Sequence, residues 1–292
     1  MKRVRRWTMG LVLLCGIVGL AGVYRAGSLL IAPAPSTVDP VPDDLPLAEV
    51  RFDSRSDSTL SGWLISSSSS CAAVVLMHGI RANRRSMLGR ARFLFEAGYD
   101  VLLFDFQAHG ESSGEQITFG YLEKLDAEAA VAYMKAVRPN ARVAVIGTSL
   151  GGVAAILSAP NLDADAVIVE AVYPTIERAV QNRLSLQFGV LAELLAPALL
   201  IQMNARLGFG PEELRPIDHI ASLGAPVFVI AGSDDQRTLA AESRALFGQA
   251  RDPKEFWLIE GAGHTDFHRY AGADYVTRAL SFLRQHLACS SD

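Results

Sequence analysis

The chain has 292 residues, half of them apolar and a fifth charged, which suits one large α/β domain with an appendage better than two equal domains. The formal net charge of -4, with no basic patch beyond the first residues, gives no electrostatic footprint for a nucleic-acid partner. The three cysteines have neither CxxC nor CxxH spacing and the six histidines are scattered singly, so the pattern points to no metal and no cofactor.

Lys2, Arg3, Arg5 and Arg6 precede an uncharged, mostly apolar run from position 7 to 24, close to the ~20 residues that span a bilayer core as a helix. Residues 1–32 therefore read as a basic stub and transmembrane anchor. The positive charges keep the N-terminus cytoplasmic, so the remainder faces outward. Secretion after signal cleavage is the rival reading, but the run is long for a signal and Arg25 sits where cleavage would be sought. Residues 33–46 carry five prolines and read as an extended spacer between membrane and domain.

From residue 47 onward, short β-rich runs alternate with helical patterns. Strands are expected at 47–52, 60–65, 72–77, 99–104, 143–147, 166–170, 226–231 and 254–259, and helices at 87–97, 121–137, 152–158, 238–246 and 270–287. The alternation implies a mostly parallel, doubly wound eight-stranded sheet, and the continuous apolar character of its inner strands suits burial on both faces. Residues 173–225 interrupt the rhythm without a clear strand. They are too long for a plain loop and read as a small helical cap, with the leucine- and alanine-rich stretch 184–207 broken at Pro197.

Gly147-Thr148-Ser149-Leu150-Gly151 lies between an expected strand and an expected helix. This is a GxSxG nucleophile elbow in its proper context. A serine on so sharp a turn takes a strained backbone, and glycines two residues to either side avoid collision. The helix N-terminus behind it favours developing negative charge. A serine hydroxyl needs a histidine base, and that base needs a carboxylate. His264, in Gly261-Ala262-Gly263-His264 between the last strand and last helix, stands where the base belongs. Asp235 and its neighbour Asp234, after the strand at 226–231, are the available acids.

These motifs, together with Met77-His78-Gly79-Ile80 and the loop Asp105-Phe106-Gln107-Ala108-His109-Gly110-Glu111-Ser112, make the chain resemble the alpha/beta-hydrolase superfamily from residue 47 to 287. Within it, the chain looks like the bacterial membrane-anchored esterases and acylaminoacyl-peptidase-like enzymes. The resemblance implies the alpha/beta-hydrolase fold and a Ser149–Asp235–His264 triad, with Asp235 chosen over Asp234 by the family's GxxD pattern. It also implies an oxyanion hole made by the backbone N–H groups of Ile80 and Leu150. His78 and the His109 loop are expected to be structural, the loop carrying Ala108 where the family has glycine. His268 is expected on the surface. The expected activity is hydrolysis of a small-molecule ester through an acyl-enzyme. A peptidase or amidase acting on acyl-peptides with the same triad is the alternative, and a non-enzymatic binding protein a third. Cys71 and Cys289 both map to the sheet edge away from catalysis, where an oxidising compartment would let them pair.

Overall fold

The computed structural model describes residues 7, 18, 19, 21–39, 42–67 and 72–287. Most of the apolar run at 7–24 and all three cysteines lie outside the described residues, and with them the expected anchor and the Cys71–Cys289 pairing. The eight strands of the main sheet are β1 (Leu47–Asp53), β2 (Thr59–Ile65), β3 (Ala72–Met77), β4 (Asp100–Phe104), β5 (Arg142–Thr148), β6 (Ala166–Glu170), β7 (Val227–Gly232) and β8 (Lys254–Ile259). They form one sheet in the order β8-β7-β6-β5-β3-β4-β2-β1. The β1–β2 and β2–β4 pairs are antiparallel and the rest parallel.

The alternation of the strands divides the core into two layers. Val75, Met77, Val143 and Val145 pack to one side, against α3 (Glu123–Val137), α4 (Leu150–Leu157) and α9 (Ala240–Gln249). Val74, Leu76, Ala144 and Ile146 pack to the other, against α2 (Leu88–Glu96) and the C-terminal pair α10 (Phe267–Ala271) and α11 (Ala273–His286). Every residue of α4 is buried, which explains why this short helix is apolar all round. The last helix, expected unbroken over 270–287, is divided at Gly272.

The cap consists of α5 (Ile176–Phe188), α6 (Ala192–Leu200), α7 (Gln202–Leu207) and the single turn α8 (Pro216–His219). The main break falls at Gly189, whose φ is +56°, and Pro197 rides inside α6 instead of ending it.

The segment before β1 departs from the expected free spacer. A helix, α1, covers residues 21–31. Arg206 of α7 donates to the Tyr24 carbonyl and to Ser28 Oγ (2.5 and 2.9 Å), and its guanidinium lies 4.1 Å over the Tyr24 ring. Arg81 donates to the carbonyls of Leu29, Leu30 and Ala32, supplying the acceptors at the helix end with donors. Ala34–Pro35 then pairs in parallel with His109–Gly110, and Val38 is buried. The proline spacing predicts an extended spacer; Ala34–Pro35 is a short strand, and the chain bends at residues 43–45. What the spacing hides is that main-chain ladders and Val38 fasten this backbone to the domain.

Candidate active site

The carboxyl ends of β3, β5, β7 and β8 deliver the residues of interest to one edge of the sheet, where open α/β sheets bind ligands. At the end of β5, Ser149 has φ +51° and ψ -111°, a conformation that costs about 1–3 kcal/mol for a non-glycine residue. Neighbouring contacts enforce it. The Ser149 N–H donates to the Glu170 carbonyl at 2.7 Å. A Cβ on Gly147 would stand 2.5 Å from the Gly151 carbonyl carbon, and one on Gly151 would stand 2.3 Å from Met77 O. No side chain fits at either place, so the turn stays tight against β3.

The Glu170 carboxylate anchors this turn from below. It accepts from Arg90 Nε and Nη2 (3.1 and 2.6 Å), from the Tyr275 hydroxyl and from Thr148 Oγ1 (3.2 Å). Arg90 also reaches Asp266 Oδ1 at 2.8 Å, and Asp266 caps α10 two residues after His264. One buried guanidinium thus links the strand beside the serine to the loop of the histidine. Burial opposes its charge, but Glu170, Tyr275 and Asp266 more than offset that and raise its pKa well above the usual value.

At the other two strands, a Cβ on Gly232 would stand 2.2 Å from Ala262 O. That close approach lets Asp234 N donate to Ala262 O (3.0 Å) and Gly261 N to Ser233 Oγ (2.7 Å), clamping the two loops together. In consequence Asp235 Oδ2 lies 2.8 Å from His264 Nδ1. The N–H groups of Arg237 and Thr238 donate to Asp235 Oδ1 (2.8 and 2.9 Å), so the buried carboxylate is fixed at both oxygens. Among the described residues, the exposed Asp234 carboxylate accepts only from Ser233 Oγ. An Asp235 carboxylate on Nδ1 holds the proton there and leaves Nε2 as the acceptor. The Ser149 hydroxyl makes no hydrogen bond among the described residues, to His264 or to any other group.

The turn after β3 passes beside the serine: a Cβ built on Gly79 would lie 3.7 Å from Ser149 Cβ. The N–H of Ile80 and that of Leu150, the first residue of α4, have no acceptor among the described residues. Two free donors flanking a serine at a helix N-terminus are what an oxyanion requires. His78 is not available for chemistry. It is fully buried, Phe106 N–H donates to its Nε2 at 3.1 Å, and its Nδ1 meets Gly79 O at 2.7 Å. Burial, reinforced by His109 and Arg84, drives its pKa down to about 3, so it is a neutral brace for the turn. His109 is equally buried. Arg84 holds its loop, pairing with Asp105 and Glu111 while stacking on Trp63. Ala108 takes φ +57°, the conformation for which glycine is the usual choice. His268, expected on the surface, is half-buried between Phe93 and Tyr275, because Gly89 leaves α2 open to its ring.

Ser149, Ile80 and Leu150 open onto a cavity of about 670 Å³. Its walls are apolar side chains of the cap, such as Val180, Leu184, Leu200 and Met203, together with Gly27, Leu30 and Ile31 of α1. Arg183 is its notable charge. Its one side-chain hydrogen bond among the described residues is to the Ala179 carbonyl of its own helix, and burial, the largest effect on it, lowers its pKa. Of Glu177, Arg178 and Arg183, which the sequence offers as possible contacts for a polar substrate, Arg183 lines the cavity and the other two do not, while the wall supplied by α1 carries no local motif and was not legible from the sequence.

The fold and the site define an alpha/beta hydrolase. The chain belongs to the alpha/beta hydrolase family, whose model matches residues 74–278. It is 24% identical over 210 residues to the uncharacterized protein YqkD of Bacillus subtilis, covering 70% of this chain and 68% of that one. It is 25% identical over 252 residues to the uncharacterized protein YfhR of Escherichia coli K12, covering 83% and 82%. Among solved structures, the esterase Pf2001 of Pyrococcus furiosus superposes with a TM-score of 0.74 at 22% identity, covering 89% of this chain and 99% of that one.

Proposed function

We infer that this chain is a serine carboxylesterase, with Ser149 as nucleophile, His264 as base and Asp235 as its orienting carboxylate. The observation that carries the reading is the fixed Asp235–His264 pair at the same sheet edge as a strained serine flanked by two free N–H groups. Ser149 Oγ attacks the ester carbonyl and its proton passes to His264 Nε2. The N–H groups of Ile80 and Leu150 hold the oxyanion, at about 3–4 kcal/mol for each donor. The alcohol leaves with that proton. A water, deprotonated by the same nitrogen, then attacks the acyl-enzyme and releases the carboxylic acid and free Ser149. No cofactor enters the cycle.

The apolar run at 7–24 after four basic residues supports an uncleaved anchor with the catalytic domain outside the cytoplasm. Cleavage and secretion is the other outcome, and the mass of the mature chain separates the two. A peptidase or amidase with the same triad is the second reading. It draws on Arg183, a cation in the cavity without a carboxylate partner among the described residues, which suits a peptide carboxylate.

The test is kcat/KM on p-nitrophenyl esters from acetyl to palmitoyl, for the wild type and Ser149→Ala. Turnover that peaks at one chain length and vanishes in the variant is expected. Turnover of acyl-peptides with none of esters would replace the esterase by the peptidase. Ester turnover that survives in Ser149→Ala would overturn the mechanism.

A further inference from the structure

We propose that the cap and α1 together form a surface that rests in the lipid bilayer, and that the cavity takes its substrate, a long-chain ester dissolved in the membrane, directly from the lipid phase. The proposal rests on the esterase and anchor readings above.

The first observation is what the cap leaves uncovered. The stretch Ile176–Leu207 has a mean hydropathy of 1.9 over its most apolar window, yet only 11% of that window is buried. Val190, Leu194 and Ile201 are 86%, 73% and 79% exposed, and none of them lines the cavity. Isolated exposed leucines mean little, but Leu186, Phe188, Val190, Leu191, Leu194 and Ile201 are all exposed within sixteen residues of consecutive helices, and concentrations of exposed apolar side chains mark interaction surfaces.

The second observation says what covers it. The apolar run at 7–24 ends inside α1. At Tyr24 and Ser28, α1 is fastened to Arg206 on the cap, and one turn later Leu30 and Ile31 wall the cavity. The anchor's own helix thus docks on α7, the cap helix that begins directly after the exposed Ile201. The cap helices are too short to span. At 1.5 Å per residue the 13 residues of α5 reach about 20 Å and the 9 of α6 about 14 Å, against a hydrocarbon core of about 30 Å. They suit the interface, where an apolar face sinks about 5–10 Å.

The third observation concerns the entrance. Leu30 of α1 and Leu186 of α5 both line the cavity and stay 43% and 49% exposed. The opening therefore has an apolar rim between the anchor's own helix and the cap, and an acyl chain leaving the bilayer there would pass from hydrocarbon to leucine without crossing water.

The test uses the full chain reconstituted in phosphatidylcholine vesicles and the triple variant Val190→Glu, Leu194→Glu, Ile201→Glu. A long-chain ester dissolved in the vesicles should lose at least ~10-fold in kcat/KM, since carboxylates at this depth oppose insertion. Water-soluble p-nitrophenyl acetate should change less than about twofold and certifies the fold. Equal kcat/KM of variant and wild type on the vesicle ester would overturn the proposal, as would an equal loss on both substrates. Absence of acetate turnover by the wild type would instead count against the esterase reading. A readout independent of catalysis uses Leu194→Trp in a Trp7→Phe background. Dibrominated phosphatidylcholine should quench the added fluorescence; quenching no greater than for Trp7→Phe alone would remove the cap from the bilayer.

Discussion

Replacing Arg90 by methionine should destabilise the fold strongly, and the reason lies beneath the nucleophile. Arg90 and Glu170 are both fully buried, and the guanidinium meets both oxygens of the carboxylate. Methionine fills much of the volume of the arginine stem but leaves Glu170 with only two hydroxyl donors, those of Tyr275 and Thr148. Removing one member of a buried ion pair costs about 3–5 kcal/mol, because the other charge is left without compensation. In a domain of this size that corresponds to a fall in Tm of about 6–20 °C. Urea denaturation followed by far-UV circular dichroism gives the value directly. The double variant Arg90→Met, Glu170→Gln removes both charges and should recover about 2 kcal/mol or more of the single variant's loss. A single-variant cost below about 1 kcal/mol, or a double variant as damaged as the sum of its parts, would refute the assignment of this pair as the support of the elbow.

Asp235→Asn should keep the fold, because an amide oxygen can still accept from Arg237 and Thr238 N–H, yet it frees His264 to take the wrong tautomer; kcat on a p-nitrophenyl ester should drop about 10⁴-fold with little change in Tm. Gly151→Ala drives a Cβ into Met77 O of the central strand, so the elbow must shift; stability should fall by about 1–3 kcal/mol, and ester turnover more steeply than in any variant of the outer cap. The pH dependence of stability carries the signature of His78. Its folded pKa of about 3 lies below the unfolded value of about 6.5, so the unfolded chain takes up a proton that the native state refuses. This part of the stability is complete above pH 6.5 and is lost as pH falls towards 3. Between pH 6.5 and 4.5 the wild type should lose about 2–3 kcal/mol relative to His78→Asn, in paired urea titrations at each pH.

The inner strands were legible because a strand buried on both faces must be apolar along its length, and those runs end within a residue or so of β2–β7. The elbow was legible for a different reason: its glycines are dictated by contacts within five residues and with one neighbouring strand. The remaining site residues were named only through chain order and family pattern, and the structure adds the physical reason for one choice, since Asp235 and not Asp234 meets His264. What escaped the sequence depends on separation. Arg90, Glu170 and Tyr275 lie 80 and 105 positions apart along the chain and meet without any local spacing to announce it. The docking of α1 likewise depends on Arg81 and Arg206, and that of the proline-rich segment on main-chain pairing with His109–Gly110, none of which has a local spacing to announce it. Pro197 misled in the opposite direction, because the turn at Gly189 had already broken the cap helix before it.

The central claim is that Ser149 is the activated nucleophile. Incubation of the full chain with a fluorophosphonate probe, followed by peptide mass mapping, tests it most directly. The account predicts one modified residue, Ser149, at a rate that falls at least ~10³-fold in His264→Ala. A natively folded chain that the probe leaves unmodified, or modifies at another serine, would contradict it.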